Sequence, residues 1–275
     1  MDYKNRIIKI SFGLILALGL TNFSFPQDLT KKFNWPENKK AAVCLTFDDG
    51  LDCHLDKVIP LLDSFNIKAT FFCTGNSASI HNRIPEWRKI VENGHELGNH
   101  SLFHPCDGRI YDWVKPEYDL SKYSREQLKT ELYTANTLLN AIDGKTERTF
   151  SYTCSEYKTE GDTSFVDIVK QLFFAARAGG GIIPSTMSNI DIHFMPSWSV
   201  NNNTGNELIN YVEKAKADGT IAIFMFHSVG GGYLNTSIEA LNELLNYLND
   251  NENDYWVDNF YNVTKYISTE LEKIR

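Results

Sequence analysis

Apolar residues along this chain alternate between short continuous runs and longer segments in which they recur every three or four positions. Residues 41–47 form an apolar run of strand length, and residues 55–65 then follow at helical spacing. Residues 68–73 and 85–92 repeat the same order of strand and helix. This alternation predicts a parallel sheet whose strands are joined by helices.

The rest of the chain continues the pattern over several further units. Ser124 and Gln127, and later Thr236 and Glu239, have the spacing of capping boxes that begin two helices. The predicted strands are 95–99, 149–153, 173–177, 191–195, 220–226 and 255–257, and the predicted helices are 124–143, 164–172, 206–217 and 236–248. Seven or eight such units favour an α/β fold, a distorted (β/α)7-type barrel in a single domain.

The N-terminal segment has a different composition. Three basic residues precede an apolar stretch over residues 10–20, which is the layout of a secretory signal peptide. An uncleaved anchor is the alternative, but the stretch is shorter than the about 20 residues that a membrane span needs. We therefore expect residues 1–26 to be a signal peptide and residues 27–275 to be one exported domain. The expected location is secreted or periplasmic, without a stable membrane anchor.

Charge and cysteine content narrow the possible roles. The 275 residues carry a net charge of −8 without a basic run, which argues against nucleic acid as a partner. The five cysteines are an odd number, so at least one is unpaired within the chain. Cys53, Cys106 and Cys154 lie near candidate site segments, so a disulfide between any two of them is possible. For Cys44 and Cys73, a buried free thiol is as good an explanation as a disulfide. Neither pattern indicates an oligomeric state.

Two short motifs carry the candidate chemistry. Asp48 and Asp49 in TFDDG follow the first predicted strand, and His100 and His104 lie in HSLFH. Taken singly, adjacent aspartates are often a helix N-cap, and two histidines at this spacing are often surface residues. Together they offer two imidazoles and a carboxylate as metal ligands. Three protein ligands leave the fourth coordination position of the metal open for water or substrate, as in hydrolytic zinc sites. We expect a divalent metal, Zn²⁺ first, with Co²⁺, Ni²⁺ or Mn²⁺ as alternatives.

A third motif completes an ordered set. A predicted apolar strand ends in His227, within FMFH. With TFDDG and HSLFH it resembles the NodB-homology polysaccharide deacetylases, carbohydrate esterase family 4, over almost all of the chain after the N-terminal segment. The resemblance implies that Asp49, His100 and His104 bind the metal, that Asp48 is the general base and that His227 is the general acid. It also implies that the exported domain is the catalytic domain and that its substrate is an acetylated glycan.

One family motif is altered in this chain. Family members commonly carry an RPPYG-like segment whose arginine orients the base and whose backbone amide helps to form the oxyanion hole. The matching segment is FSYTCS, with Ser151 at the arginine position and Cys154 at the tyrosine position. The Cys154 amide is still available as an oxyanion donor. Arg177, which ends the next predicted strand, is expected to pair with Asp48 instead, although an ordinary arginine at the core edge has the same pattern.

Aromatic residues and glycines surround the candidate site. By the resemblance, Trp198 would pack against the acid histidine and line the acetyl pocket, although core packing explains a tryptophan equally well. The aromatic-rich segment 106–123 follows the histidine motif directly and is a candidate surface for sugar rings. The glycines at 230–232 lack the context of a phosphate loop and predict a close-approach turn near the site.

These motifs predict a metal-dependent hydrolase that removes acetyl groups, N-linked or O-linked, from a polysaccharide or oligosaccharide. Two alternatives stay open at this point. The altered FSYTCS segment is compatible with a carbohydrate-binding barrel that has weak or no catalytic activity. The same barrel could also hydrolyse another carbon–nitrogen amide bond that is not a peptide bond. The sequence does not distinguish between the two kinds of acetyl linkage.

Overall fold

The computed structural model describes residues 33–181 and 183–273, so the predicted signal peptide lies outside the described residues. Ten strands are present in this part of the chain, of which two short ones, β5 and β6, form a separate antiparallel hairpin. The strands are β1 Ala41–Asp48, β2 Thr70–Cys73, β3 Glu96–Asn99, β4 Thr149–Ser151, β5 Lys158–Thr159, β6 Thr163–Ser164, β7 Ala175–Arg177, β8 Trp198–Ser199, β9 Ile221–Phe226 and β10 Tyr255–Val257.

Helices connect the strands of the main sheet. The helices are α1 Ile59–Ser64, preceded by a π-helical turn His54–Val58, α2 Ala78–Asn82, α3 Ile84–Glu92, α4 Arg125–Asp143, α5 Val166–Leu172, α6 Gly205–Asp218, α7 Ile238–Asp250 and α8 Phe260–Glu272. Four of them begin at a polar side chain that accepts a hydrogen bond from the first turn, namely Ser124, Thr204, Ser237 and Asn259. Within the described residues, no helix combines the length and the apolar character that crossing a membrane requires.

The main sheet is parallel throughout and has β1 at its centre. Its order is β7-β4-β3-β2-β1-β9-β8, and β10 pairs with the first half of β1. All eight residues of β1 are buried, as expected for a parallel strand covered on both faces. This arrangement confirms the predicted single-domain (β/α)-type barrel. Because the strands are parallel, their carboxyl ends meet at one rim, where barrels of this type place their functional residues.

The segment 195–199 contains β8 and connects the edge of the sheet at β7 to β9. Met195 pairs with Arg177 at the end of β7, and the two residues of β8 pair with β9. The predicted strand at 191–195 is otherwise wrong. The side chain of Asp191 accepts a hydrogen bond from the His193 amide at 2.9 Å, so a turn forms there instead.

The second capping box predicted from the sequence is also wrong by one residue. Helix α7 begins after Ser237, whose hydroxyl accepts a hydrogen bond from the Ala240 amide at 3.0 Å. Thr236 instead donates its amide to the Ser228 carbonyl at 2.9 Å and therefore belongs to the loop that follows β9. Thr236 and Ser237 are both residue types that cap helices. Because Thr236 is bonded to Ser228 in the loop, Ser237 is the residue that caps α7.

Candidate active site

The two adjacent aspartates lie at the centre of the rim. Asp48 is the last residue of β1 and is 2% exposed. Asp49 and Gly50 follow with φ values of 76° and 63°, so the chain turns sharply in the left-handed region. Such a backbone is uncommon for a residue other than glycine and is frequent at functional sites. Both carboxylates lie close to His100, whose Nε2 is 3.7 Å from Asp48 Oδ2 and 3.6 Å from Asp49 Oδ1.

His100 and His104 face the carboxylate of Asp49. The Nδ1–H of His100 donates to the Ser151 carbonyl at 2.9 Å, which leaves the Nε2 lone pair free. Burial is the main reason why the pKa of His100 lies well below its usual value. The Nε2 atoms of His100 and His104 lie 3.6 Å and 3.5 Å from the same Asp49 oxygen, Oδ1.

These three side chains fit a divalent metal. Asp49 Oδ1 is buried and has no hydrogen-bond partner among the described residues, so its lone pairs are free to bind a metal. The three ligand atoms lie within 4.8 Å of one another. Ligand atoms around a tetrahedral zinc ion are separated by about 3.3 Å, which is close to the two distances from Asp49 to the histidines.

The loop that carries the histidines is held from α4. Glu131 Oε1 accepts hydrogen bonds from the amides of Leu102 at 3.2 Å and Phe103 at 2.9 Å. The Ser101 hydroxyl accepts one from the His104 amide at 2.8 Å. Glu131 was not among the residues predicted from the sequence. Its signal is a carboxylate on the buried face of an otherwise amphipathic helix.

Arg177 forms an ion pair with Asp48, as the sequence predicted. Its guanidinium is fully buried, donates to Asp48 Oδ2 and to the Ser151 hydroxyl, and lies 3.0 Å from the Ser197 hydroxyl. The guanidinium also lies 5.1 Å from the centre of the Phe72 ring. Asp48 Oδ1 has no hydrogen-bond partner within the described residues and remains available.

His227 follows β9 and lies next to Asp48. Its Nε2 is 4.0 Å from Asp48 Oδ2, and its Nδ1 is buried without a hydrogen-bond partner in the part of the chain that the structure describes. The backbone carbonyl of His227 accepts a hydrogen bond from His54 Nε2 at 2.9 Å, while His54 Nδ1 accepts one from the Leu51 amide at 3.2 Å. Burial lowers the pKa of His54 to about 4.

The remaining predicted residues line the same cleft. Cys154 forms a disulfide with Cys106, whereas Cys44, Cys53 and Cys73 are free thiols. Trp198 is half-buried and packs against Tyr211 and Phe224, with ring centres 5.0 Å and 6.1 Å away. The structure therefore shows core packing for the tryptophan, and its indole also borders the cleft.

The cleft has a volume of about 1100 Å³ and is bordered by aromatic side chains. Trp113 is 60% exposed, and its ring centre lies 6.4 Å from that of His104. Tyr233 reaches in from the opposite side, donates its hydroxyl to Asp49 Oδ2 and lies 5.7 Å from the His227 ring. Tyr233 was not among the residues predicted from the sequence, where its local signal is the run of glycines that precedes it.

Known proteins share this pattern of sequence and structure. The polysaccharide deacetylase family model matches residues 36–172. A peptidoglycan-N-acetylglucosamine deacetylase of Bacillus cereus is 26% identical over 227 residues, which cover 82% of this chain and 69% of the relative. The peptidoglycan-N-acetylmuramic acid deacetylase PdaA of Bacillus subtilis is 24% identical over 211 residues, or 75% of this chain and 67% of the relative.

A solved structure has the same fold. The family 4 acetyl xylan esterase from Clostridium thermocellum superposes with a TM-score of 0.54 at 24% sequence identity. The superposition covers 82% of this chain and 89% of the esterase chain. At this level of identity the likeness supports the fold alone.

Proposed function

Because this chain belongs to the polysaccharide deacetylase family, we propose that it is a metal-dependent hydrolase that removes N-linked or O-linked acetyl groups from a polysaccharide or oligosaccharide. The observation that carries the proposal is the unpaired Oδ1 of Asp49, which faces two histidine nitrogens beside a second buried carboxylate. A metal site with a neighbouring proton acceptor is what hydrolysis by an activated water requires.

Asp49, His100 and His104 would hold the metal, with Zn²⁺ as the expected ion. When bound, the metal would supply Lewis-acid activation of a water molecule and of the acetyl oxygen. Asp48 takes the proton of the attacking water on its unpaired oxygen, Oδ1. Arg177 holds the other oxygen, Oδ2, and so fixes the orientation of the base.

The leaving group is protonated from the opposite side of the site. His227 donates its Nε2 proton to the departing amine or alkoxide while acetate is released. The Cys154 amide, at the rim after β4, is the proposed donor to the oxyanion. Trp198 would border the acetyl group. The Cys154 and Trp198 roles are supported by the position of both residues in the lining of the cleft.

The cleft suits a sugar chain. Exposed Trp113 beside His104 offers an aromatic face on which a pyranose ring can stack. The relatives are named as deacetylases of peptidoglycan sugars, which supports an acetylated glycan as the substrate class. We further propose that residues 1–26 direct export, so that the protein acts as a secreted or periplasmic enzyme on glycans outside the cytoplasm.

Acetate release from N-acetylated chitin oligomers and from acetylated xylan, with and without a chelator, tests this function. Asp48→Asn should keep the metal but lower the rate of acetate release by a factor of about 10² to 10⁴, because the proton acceptor is lost. Asp250→Asn, at an exposed position at the end of α7, is the matched control and should retain the wild-type rate.

Two results would contradict the proposal. Full activity of the Asp48→Asn variant would remove Asp48 from the role of base. Binding of the oligosaccharides by the wild-type protein without any acetate release, at saturating metal, would favour the carbohydrate-binding alternative.

A further inference from the structure

The loop between β9 and α7 contains the glycine cluster that the sequence analysis interpreted as a close-approach turn. We propose that this loop completes the metal site, with Tyr233 as a positioning residue that holds the outer oxygen of Asp49. The inference rests on the proposed metal site and adds a residue to it. No motif of the sequence assigns a role to Tyr233.

The two oxygens of Asp49 have different surroundings. Oδ2 accepts the hydrogen bond of the Tyr233 hydroxyl, whereas Oδ1 lies 3.6 Å and 3.5 Å from the Nε2 atoms of His100 and His104. A carboxylate that is anchored through one oxygen presents only the other oxygen to a metal. Hydrogen bonds of this kind orient ligands and strengthen metal binding. The contact therefore selects the oxygen that faces the histidines.

The loop is folded by its own hydrogen bonds. The Gly230 amide donates to the Thr236 carbonyl at 2.9 Å, and the Thr236 amide donates to the Ser228 carbonyl at 2.9 Å. The Gly231 amide donates to Asn235 Oδ1 at 2.6 Å. These bonds close the loop at its base and at its tip, so the position of Tyr233 is set by the loop and not only by its contact with Asp49.

Glycine is required at the turn that precedes Tyr233. Gly230, Gly231 and Gly232 have φ values of 71°, 117° and 119°, which side-chain-bearing residues rarely adopt. A Cβ at Gly232 would also lie 2.5 Å from the Ser228 hydroxyl. The three glycines thus bend the chain back across the end of β9, which brings Tyr233 to the carboxylate at the end of β1.

A purely structural role for the tyrosine ring is the competing explanation. The ring lies 5.7 Å from that of His227 and could serve only to pack against it. Tyr233→Phe separates the two explanations, because it keeps the ring and removes the hydroxyl. Packing against His227 predicts no change in metal affinity, whereas the positioning role predicts a loss.

The experiment is a titration of the metal-free protein with Zn²⁺ in competition with a chromophoric chelator. Tyr233→Phe should weaken the Kd for Zn²⁺ by about tenfold or more, while the melting temperature of the metal-free variant stays at the wild-type value. Tyr111→Phe is the matched control for metal affinity. It removes a tyrosine hydroxyl from the same cleft and should leave the Kd within a factor of about two.

A loop variant provides an independent arm. Gly232→Ala should displace the loop and weaken the Kd for Zn²⁺ to a similar extent. The double variant Gly232→Ala/Tyr233→Phe should be no weaker than either single variant, because both changes remove the same contact. Additive losses would mean that the loop also affects the metal site by a route that does not pass through Tyr233, and would overturn the claim that the glycines act by placing Tyr233.

The remaining outcomes separate this inference from the proposed function. If Tyr233→Phe binds Zn²⁺ as tightly as the wild type while Asp49→Ala loses it, the role of Tyr233 is refuted and the deacetylase proposal is untouched. If the wild type binds Zn²⁺, Tyr233→Phe binds it more weakly and no acetate is released from any substrate, the role of Tyr233 stands and the deacetylase proposal fails. A wild-type protein that binds no metal refutes both.

Discussion

Arg177 forms a buried ion pair with Asp48 that no residue of the FSYTCS segment could supply. The small Ser151 side chain leaves room beside Asp48, and the guanidinium from β7 fills that room and bonds to both residues. A charge buried to this degree is stable only because it is paired and surrounded by hydrogen-bond acceptors. The pair therefore couples the orientation of the proposed base to the stability of the sheet.

Replacing Arg177 with methionine should therefore affect both properties. The change leaves Asp48 buried without its partner, so we expect a loss of about 3–5 kcal/mol in the free energy of unfolding. Acetate release should fall as well, because the base loses its orientation. Urea denaturation and the acetate assay measure the two effects. Arg83→Met, which breaks ion pairs of more exposed side chains, is the control and should cost far less. Equal losses of unfolding free energy in both variants would show that the buried ion pair contributes no more to stability than the more exposed ones.

His54 makes the stability of the fold depend on pH. Burial lowers its pKa to about 4, whereas the unfolded chain titrates at about 6.5. Between these values the unfolded state binds more protons, so acidification favours unfolding. The contribution is fully present above about pH 6.5 and is lost as the pH falls toward 4, with an upper magnitude of about 3 kcal/mol.

The measurement is the free energy of unfolding at pH 7 and at pH 4.5, in the wild type and in His54→Gln. The variant lacks the titrating group, so its stability should fall less between the two pH values. Because other buried histidines such as His100 titrate in both proteins, only the difference between the two profiles reports on His54. Parallel profiles would contradict the prediction.

Residues inside motifs could be predicted from the sequence, and residues outside them could not. The proximity of Asp49, His100 and His104 could be predicted because a metal site would restrict residue types and spacing, and because the strand ends of a parallel sheet converge. Glu131 and Tyr233 were missed because their contacts depend on the path of a loop. No periodicity or motif encodes such a path, since loops are specified by many weak local preferences.

At the scale of elements, the disulfide joins two loops of the rim. Cys106 follows the histidine loop after β3, Cys154 follows β4, and 48 residues separate them in sequence. Cys106 Sγ also lies 3.5 Å from Nδ1 of the proposed ligand His104. The bridge therefore restrains the unfolded chain and holds the loop that carries one ligand of the proposed metal site.

Replacing both cysteines by serine should lower the free energy of unfolding by about 2–4 kcal/mol, because the unfolded chain regains the freedom of a long loop. The Kd for Zn²⁺ should weaken as the histidine loop loosens. Denaturation curves with and without reductant test this. Reductant should destabilise the wild type and leave the double variant Cys106→Ser/Cys154→Ser unchanged. A wild type that is insensitive to full reduction would refute the prediction.

Elements with strong periodicity were predicted well, and short elements were not. The buried strand β1 and the long helix α4 match the predicted ranges closely. A long, regular pattern of apolar residues is compatible with only one type of secondary structure. The error at 191–195 arose where alternating apolar residues lie in a turn that is held by an aspartate side chain. Side-chain to backbone hydrogen bonds compete with strand pairing at such positions.

At the scale of the whole molecule, metal binding should stabilise the fold. The proposed ligands follow the ends of β1 and β3, which lie on either side of β2, so a bound ion would link two strands that are not paired with each other. At a free metal concentration 100 times the Kd, the folded state gains about 2.7 kcal/mol. The melting temperature should then rise by roughly 5–10 °C above that of the chelator-treated protein.

Asp49→Ala gives the control for this effect. Its melting temperature should not respond to Zn²⁺, because a ligand is missing. If Zn²⁺ raised the melting temperature of the variant as much as that of the wild type, the ion would bind elsewhere. The proposed metal site of three residues would then be wrong.

The segment 195–199 has a consequence for the shape of the substrates that the cleft can admit. It completes the wall between β7 and β9 through a few backbone hydrogen bonds, such as Ala178 N to Met195 O at 2.7 Å and Val200 N to Met225 O at 3.0 Å. Few bonds make local opening inexpensive compared with the central strand. Ser197, Trp198 and Ser199 border the cleft, and the Ser197 hydroxyl also lies 3.0 Å from the Arg177 guanidinium, so displacement of this segment would widen the groove only by disturbing the Arg177–Asp48 pair. A branched chain that pushed the segment outward would therefore be hydrolysed slowly, because the proposed base would lose its orientation.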